Sequence, residues 1–476
     1  MSSLKESIVE ALDKLLEFID NSPWRNKYFL SLQTMRKRLD EPCVLAVAGR
    51  VKAGKSSFLN AFLGQDLALV GVTETTATIN YFRFGKSPDP NKPVKCVWDN
   101  GTQTWEDQAF LDSLQGNTIE VLRRAAGIKH LEFFLDNPKL EQVQLVDTPG
   151  TGAVVGDDGM GHQNVTAEFF QMSESLRKRH DAETQALSSQ ADAVIYLTGS
   201  NVRDTDAEFL SQFQQNSGGS SLNMLGILAK ADMCDSLLTE SPQRKEYIDQ
   251  QARQLGSRLN VPIPLTAVSS GIERTIQKIG REGLDRLREK VLNGFDPKYR
   301  DIAFSQDTIY RNPNLPGCTL SVEEREALLD GIPWRVFQVI VKTLIKHETD
   351  EAIAILNHYS GFEHVNQILE KHFFERGELL RCHTVLLAIL KFLRYNLRNE
   401  LFQYGVDVRQ NQEESAEYLR FVLSHPQANG NPLVERFRMF LSRHLPEDNS
   451  RELESKINAF LETFEGFVNQ LDSIKR

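Results

Sequence analysis

Gly49-Arg50-Val51-Lys52-Ala53-Gly54-Lys55-Ser56 stands between the apolar run Val44 to Ala48 and the helical stretch Ser57 to Leu63. It fits G-x-x-x-x-G-K-[ST], and in a strand-loop-helix setting that pattern is a phosphate loop. Gly49 and Gly54 let the backbone curl so that its N–H groups, with the helix N-terminus at Ser57, cradle a β-phosphate. Lys55 adds a cation for the β- and γ-phosphates, and the Ser56 hydroxyl is a ligand for Mg²⁺.

Three further motifs follow in the order such a loop requires. Asp147-Thr148-Pro149-Gly150 closes the apolar strand Val143 to Val146, where Asp147 is expected to hold the Mg²⁺ shell and the Gly150 N–H to reach the γ-phosphate. Ala229-Lys230-Ala231-Asp232 follows the strand Met224 to Leu228 and departs from N/T-K-x-D only at its first position. A carboxylate there accepts both the N1–H and the N2 amino group of guanine, which adenine does not offer, so Asp232 points to GTP and GDP, with the Lys230 stem over the base. Ala267-Val268-Ser269-Ser270-Gly271 occupies the place of the loop that touches the guanine O6. Within Thr73-Glu74-Thr75-Thr76-Ala77-Thr78, one threonine is expected to close on Mg²⁺ when the γ-phosphate is bound; Thr76 is preferred, with Thr75 second.

Around these motifs, from Cys43 to about Asn293, short β-rich runs alternate with helical segments: 44–48, 143–146, 193–197, 224–228 and 263–267. This predicts a mostly parallel sheet with helices on both faces. Asn100-Gly101 supplies the turn for a hairpin between Val94 to Trp98 and Gln103 to Trp105. Before this block, Leu4, Ile8, Leu12, Leu15 and Ile19 mark one helical face opened by a Ser3/Glu6 capping box, and a second helix runs from about Trp24 to Leu39. After Phe295 strand signals nearly vanish; Ser321 and Glu324 form another capping box. Leu453, Ile457, Phe460, Phe464, Phe467, Leu471 and Ile474 then step as a seam for packing within a helical bundle. The prediction is an α/β phosphate-loop GTPase domain, 43–295, inserted in an α-helical bundle built from the N-terminal helices, 1–42, and the C-terminal ones, 296–476.

Composition narrows the function. Lys+Arg 55 against Asp+Glu 65 gives a net charge of -10 over 476 residues, which argues against a purely electrostatic nucleic-acid binder. The 5 cysteines include no C-x-x-C pair, so neither a disulfide framework nor a zinc site is expected, and a reducing compartment fits. No signal peptide is read at Met1 to Asp20, and the longest aliphatic run, Val385 to Leu390, is too short to span a bilayer.

With Arg50-Val51-Lys52-Ala53 inside the phosphate loop and Val72-Thr73-Glu74-Thr75-Thr76-Ala77-Thr78-Ile79-Asn80 after it, the chain resembles the dynamin superfamily, specifically its bacterial dynamin-like proteins. The likeness covers Cys43 to about Ala77 and the Asp147 and Asp232 motifs; the helical half is similar only in being helical. The resemblance implies a GTPase domain whose flanking helices form a bundle, and GTPase-domain pairing that stimulates hydrolysis. It also implies self-association through GTPase domains and bundle and peripheral contact with an anionic membrane; a second dynamin-like chain is left open as a partner, and the cytoplasm is the compartment the cysteine usage fits. Thr151 follows Gly150, so the water-orienting glutamine of Ras-like enzymes is absent from its usual place. Lys52 sits where some dynamin relatives carry an arginine finger acting in cis and others bind a monovalent cation, and its ammonium is a candidate for that role. The glycine-rich stretch Thr151 to His162 reads as a switch. In place of the lipid-binding paddle of larger dynamins, the loop His425 to Pro432 and the helix Leu433 to Leu445, with Arg436, Arg438 and Arg443 beside Phe437, Phe440 and Leu441, are the candidates for lipid contact.

The expected function is GTP hydrolysis to GDP and phosphate, coupled to bundle movement in membrane remodelling or maintenance. The rivals are a cytosolic switch acting on a protein or ribosomal partner, with slow concentration-independent turnover, and a scaffold that binds GTP without hydrolysing it.

Overall fold

The computed structural model describes residues 2–49, 52–65, 78–114, 119–147, 191–199, 210–211, 223–239, 242–257, 264–424, 432–444 and 449–475. The chain divides into two compact units, one of Pro42–Leu380 and one of Met1–Glu41 with Arg381–Arg476.

Among the described residues the first unit has nine strands: β1 (Cys43–Gly49), β2 (Ile79–Phe84), β3 (Val94–Trp98), β4 (Gln103–Glu106), β5 (Ile128–Leu135), β6 (Val143–Asp147), β7 (Ala193–Thr198), β8 (Met224–Leu228) and β9 (Leu265–Ala267). Their order is β4-β3-β5-β2-β6-β1-β7-β8-β9. From β6 through β9 every pair is parallel, whereas β2 runs antiparallel to β6. All five strands read from the sequence are present, as is the hairpin, with Gly101 at φ 85° in its turn. Two strands escaped the sequence reading, β2 and β5, because Arg83, Lys129 and Glu132 break their apolar runs.

β1 shows why the sheet is buried on both sides. Leu45 and Val47 pack into one core with Phe58 and Leu59, while Ala46 and Ala48 pack into another with Val194 and Tyr196. A strand covered on both faces needs apolar residues at every position, and that is how Cys43 to Ala48 reads.

Among the described residues the helices of eight residues or more are α1 (Ser2–Asp20), α2 (Arg25–Arg38), α3 (Lys55–Leu63), α4 (Ile119–Ala126), α5 (Gln243–Gly256), α6 (Ser270–Gly294), α7 (Val322–Leu329), α8 (Trp334–Lys346), α9 (Thr349–Ser360), α10 (Phe362–Leu369), α11 (Gly377–Lys391), α12 (Arg398–Ser424), α13 (Pro432–His444) and α14 (Ser450–Lys475). Sequence analysis assigned everything after 295 to the bundle, but α7 to α10 lie in the unit with the sheet. Phe337, Ile340 and Leu344 of α8 bury against Leu284, Leu287 and Val291 of α6, and Phe362 of α10 stacks 5.5 Å from Phe58 of α3. The unit boundary therefore falls at Leu380, inside α11.

The second unit joins the two ends of the chain, as the sequence periodicity predicts. Ile8, Leu12, Leu15 and Ile19 of α1 are buried, as are Leu453, Ile457, Phe464 and Leu471 of α14. Phe18 packs 5.6 Å from Phe460, and Tyr28 of α2 lies 5.1 Å from Phe392. Ile474, the last residue of the seam, is exposed. The Ser321/Glu324 capping box is formed; the Ser3 side chain, of the box read at Ser3/Glu6, lies outside what the structure describes. The tip 425–431 lies outside the described residues. Among the described residues no helix is long and apolar enough to cross a membrane.

Candidate functional site

Because β1, β6, β7, β8 and β9 run parallel, the loops that follow them emerge at one edge of the sheet, the edge at which open α/β sheets bind ligands. The phosphate loop leaves β1 there, Asp147 ends β6, and the Asp232 and Ser269 loops leave β8 and β9.

The loop needs its glycines for different reasons. At Gly49 a Cβ would meet the Leu197 carbonyl oxygen at 2.2 Å, so only a hydrogen allows β1 to lie this close to β7 as it turns. At Gly54 the constraint is backbone conformation, φ 96°, in the residue that caps α3. Lys52 takes a left-handed φ of 60°, which a non-glycine residue adopts only when the surrounding turn imposes it, and its side chain is exposed.

Lys55 opens α3, is buried, and donates from Nζ to the Gly49 carbonyl oxygen at 3.1 Å. Ser56 Oγ donates to Asp147 Oδ2 at 3.3 Å. The second oxygen of that buried carboxylate, Oδ1, has no hydrogen-bond partner among the described residues. Across the antiparallel pairing, Asp147 faces Asn80, whose Oδ1 accepts from Thr78 Oγ1 at 3.2 Å. Burial pushes the Asp147 carboxyl up to about 6, against the pull of the Lys55 charge, the Ser56 hydroxyl bond and the nearby Asn80 amide. Burial likewise lowers Lys55, opposed by Asp147. Among the described residues no three His, Cys, Asp or Glu side chains cluster as a protein-only metal cage. One carboxylate oxygen without a partner next to one hydroxyl is the donor set of an ion that keeps most of its water and shares phosphate oxygens, which fits Mg²⁺.

The other half of the edge is shaped for a base. Lys230, at φ 57°, begins the turn Ala231–Met233, and the Ala231 N–H donates to the Val268 carbonyl at 2.9 Å, tying the two loops together. Ser269 Oγ donates to Asp232 Oδ1 at 2.5 Å and accepts from the Ile272 N–H at 3.2 Å, so one hydroxyl both orients the carboxylate and caps α6. A cavity of about 610 Å³ runs from Gly54 and Ser57 of the phosphate loop to Lys230 and Asp232, with Arg274 and Thr275 of α6 along its side.

The structure thus gathers Gly49, Gly54, Lys55, Ser56, Ser57 and Asp147 at one side, and Lys230, Asp232 and Ser269 at the other. Thr76, Gly150 and the stretch Thr151 to His162 lie outside the described residues. Sequence reasoning missed Asn80, whose only signal is a polar residue in a buried strand position, and Arg335, which reaches the Asp232 loop from α8.

A phosphate loop with its lysine and hydroxyl, a buried aspartate beside them and a second buried carboxylate, Asp232, lining the same cavity as Gly54 make up a phosphate-loop nucleotide site. Residues 45–231 match the sequence model of the Dynamin family, and the chain is similar to bacterial proteins that include dynamin-like ones. It is 25% identical over 382 residues to isoniazid-induced protein IniC of Mycobacterium tuberculosis, covering 78% of this chain and 71% of that one. To dynamin-like protein 2 of Campylobacter jejuni it is 30% identical over 119 residues, 25% of this chain and 18% of the other. A solved bacterial dynamin, described as an oligomerised pair providing a mechanism for the long-range sensing and tethering of membranes, aligns with 99% of this chain and 75% of its own at 17% identity and a TM-score of 0.34.

Proposed function

We propose that this GTPase is Mg²⁺-dependent and couples pairing of its GTPase domains to movement of the helical bundle at a membrane. The observation that carries the nucleotide part is Asp232, fixed by Ser269 and opening onto the same cavity as Gly54 and Ser57. Lys55 meets the β- and γ-phosphates, the loop N–H groups hold the β-phosphate, and Asp232 accepts from the guanine N1–H and N2 amino group while the Lys230 stem covers the ring. Ser56 and Asp147, with Thr76, would hold Mg²⁺. Bound there, the ion offsets charge on the β- and γ-oxygens. Burial drives Lys55 and Asp147 toward neutrality, so phosphate oxygens beside one and a cation beside the other restore both charged forms, which links nucleotide and ion binding. Gly150 reaches the γ-phosphate through its N–H.

Without a glutamine after Gly150, Lys52 takes the charge-offsetting role; Lys52→Ala should slow hydrolysis at least tenfold and alter its response to K⁺. An unchanged rate and an unchanged K⁺ response would sink that role.

Self-association and a second dynamin-like chain are part of the same proposal; the relatives from Campylobacter jejuni include both a dynamin-like protein 1 and a dynamin-like protein 2. Anionic membrane contact is supported by Leu433, Met439 and Phe440 of α13, exposed on the helix that also carries exposed Arg436. The test is phosphate release from GTP against protein concentration, with and without anionic liposomes, using Lys55→Ala as blank. Specific activity should climb with concentration and with lipid. A flat, slow rate would reject the paired mechanism and favour a switch that works on a protein partner.

A further inference from the structure

We propose that Arg335 is a positioning residue for guanine selectivity, holding the Asp232 loop from α8 where Ala229 lacks the polar side chain that supports this loop in N/T-K-x-D sequences. The proposal rests on the guanine reading above. Ala229 does lie against the phosphate loop, 3.9 Å from where a Cβ on Gly54 would stand, but a methyl group has nothing to donate. Support comes instead from the opposite side. Arg335 Nε donates to the Asp232 carbonyl oxygen at 2.9 Å, Nη1 to Gln338 Oε1 at 2.5 Å, and Nη2 to the Asp235 carboxylate. A guanidinium bound through all three nitrogens is fixed in plane and direction.

The anchor is itself anchored. Gln338 is buried and donates from Nε2 to the carbonyl oxygens of Phe304 and Ser305, at 2.8 and 3.0 Å. A continuous polar chain therefore runs from the 304–305 backbone through Gln338 and Arg335 to the main chain of the residue that reads the base. The turn before α8 takes part as well: Asp330, Gly331, Ile332 and Pro333, with Val336 of α8, line the same cavity as Asp232. All of these residues lie beyond the stretch that matches the Dynamin family, 45–231, so the base site is completed by a part of the chain outside that stretch.

The test is competition binding of GDP, IDP and ADP to the full chain and to Arg335→Ala, Arg335→Lys and Asp235→Ala, with melting temperature measured alongside. IDP lacks the N2 amino group that Asp232 accepts, so the GDP:IDP affinity ratio reports how well that carboxylate is aimed. Arg335→Ala should lower the ratio about fivefold, and Asp235→Ala, which removes an exposed partner and leaves the core intact, about twofold. Arg335→Lys, with a single point donor, should fall between wild type and Arg335→Ala. ADP affinity should stay within about twofold throughout, since it draws on the phosphate loop alone. A GDP:IDP ratio unchanged in Arg335→Ala overturns the role of Arg335. So does an equal loss for all three nucleotides, which would mark a general folding effect. A wild-type protein that binds GDP and ADP alike overturns the guanine reading itself, and this inference with it.

Discussion

Asp232 works through two lone-pair directions, and Ser269 Oγ already occupies one carboxylate oxygen at 2.5 Å. Asp232→Asn places an amide where the guanine amino group needs an acceptor, so GTP affinity should fall roughly 100-fold, about 3 kcal/mol, while xanthosine triphosphate, with a carbonyl at that position, gains. Competition between the two nucleotides measures it; retained GTP preference would remove Asp232 from the base site. Glu132 is a second buried carboxylate with a structural task. Burial alone would raise it, but the His130 hydrogen bond and the Arg83 and Lys95 charges outweigh that and hold it lowered to about 2. Arg83 Nη1 lies 3.1 Å away and Lys95 Nζ 3.4 Å. With the folded value below the ordinary 4.5, the native state binds fewer protons between the two. The stability this supplies is present above pH 4.5 and lost as pH falls toward 2, on the order of 3 kcal/mol. Acid titration of unfolding should show this loss in the wild type and not in Glu132→Gln; identical acid profiles would refute it.

At the scale of elements, one helix start is closed by its own side chains. Ser321 has an extended backbone, so its Oγ accepts from the Glu324 N–H at 3.2 Å while the Glu324 carboxylate accepts from the Ser321 N–H at 2.8 Å. Ser321→Ala should therefore cost about 1 kcal/mol, seen as a lower urea midpoint with an unchanged slope. A midpoint that does not move would mean the first turn of α7 is held by its packing alone. The strands carry a related lesson. β1 and β8 are legible because both faces are buried and every residue is apolar, whereas β5 hides its strand character behind Lys129, His130 and Glu132.

At the scale of the molecule, one of the two units is assembled from both ends of the chain. α1 buries Ile8, Leu12 and Leu15, and α14 supplies Ile457, Leu461 and Phe464 to the same bundle. Removing 450–475 should strip α1 of an apolar partner and raise amide exchange along α1 by orders of magnitude, while protection in β1, β6 and β7 persists. Exchange in α1 that is indifferent to the deletion would show that α1 and α2 hold themselves. The bundle thus depends on residues more than four hundred positions apart.

The sequence by itself determined the phosphate loop, the Asp147 and Asp232 motifs, the parallel character of the sheet and the bundle of the two chain ends. Each of these rests on local spacing: glycines where the backbone must curl, apolar runs where both faces are covered, and a helical period where one face is. Only the tertiary structure decided that α7 to α10 belong with the sheet, because a helix of period 3.6 records that it buries a face and not what it buries that face against. The same holds for Arg335. An arginine near the start of a helix reads as a solvated charge, and its place behind Asp232, 103 residues earlier in the chain, exists only once α8 packs on α6 and the guanidinium finds the carbonyl of the turn.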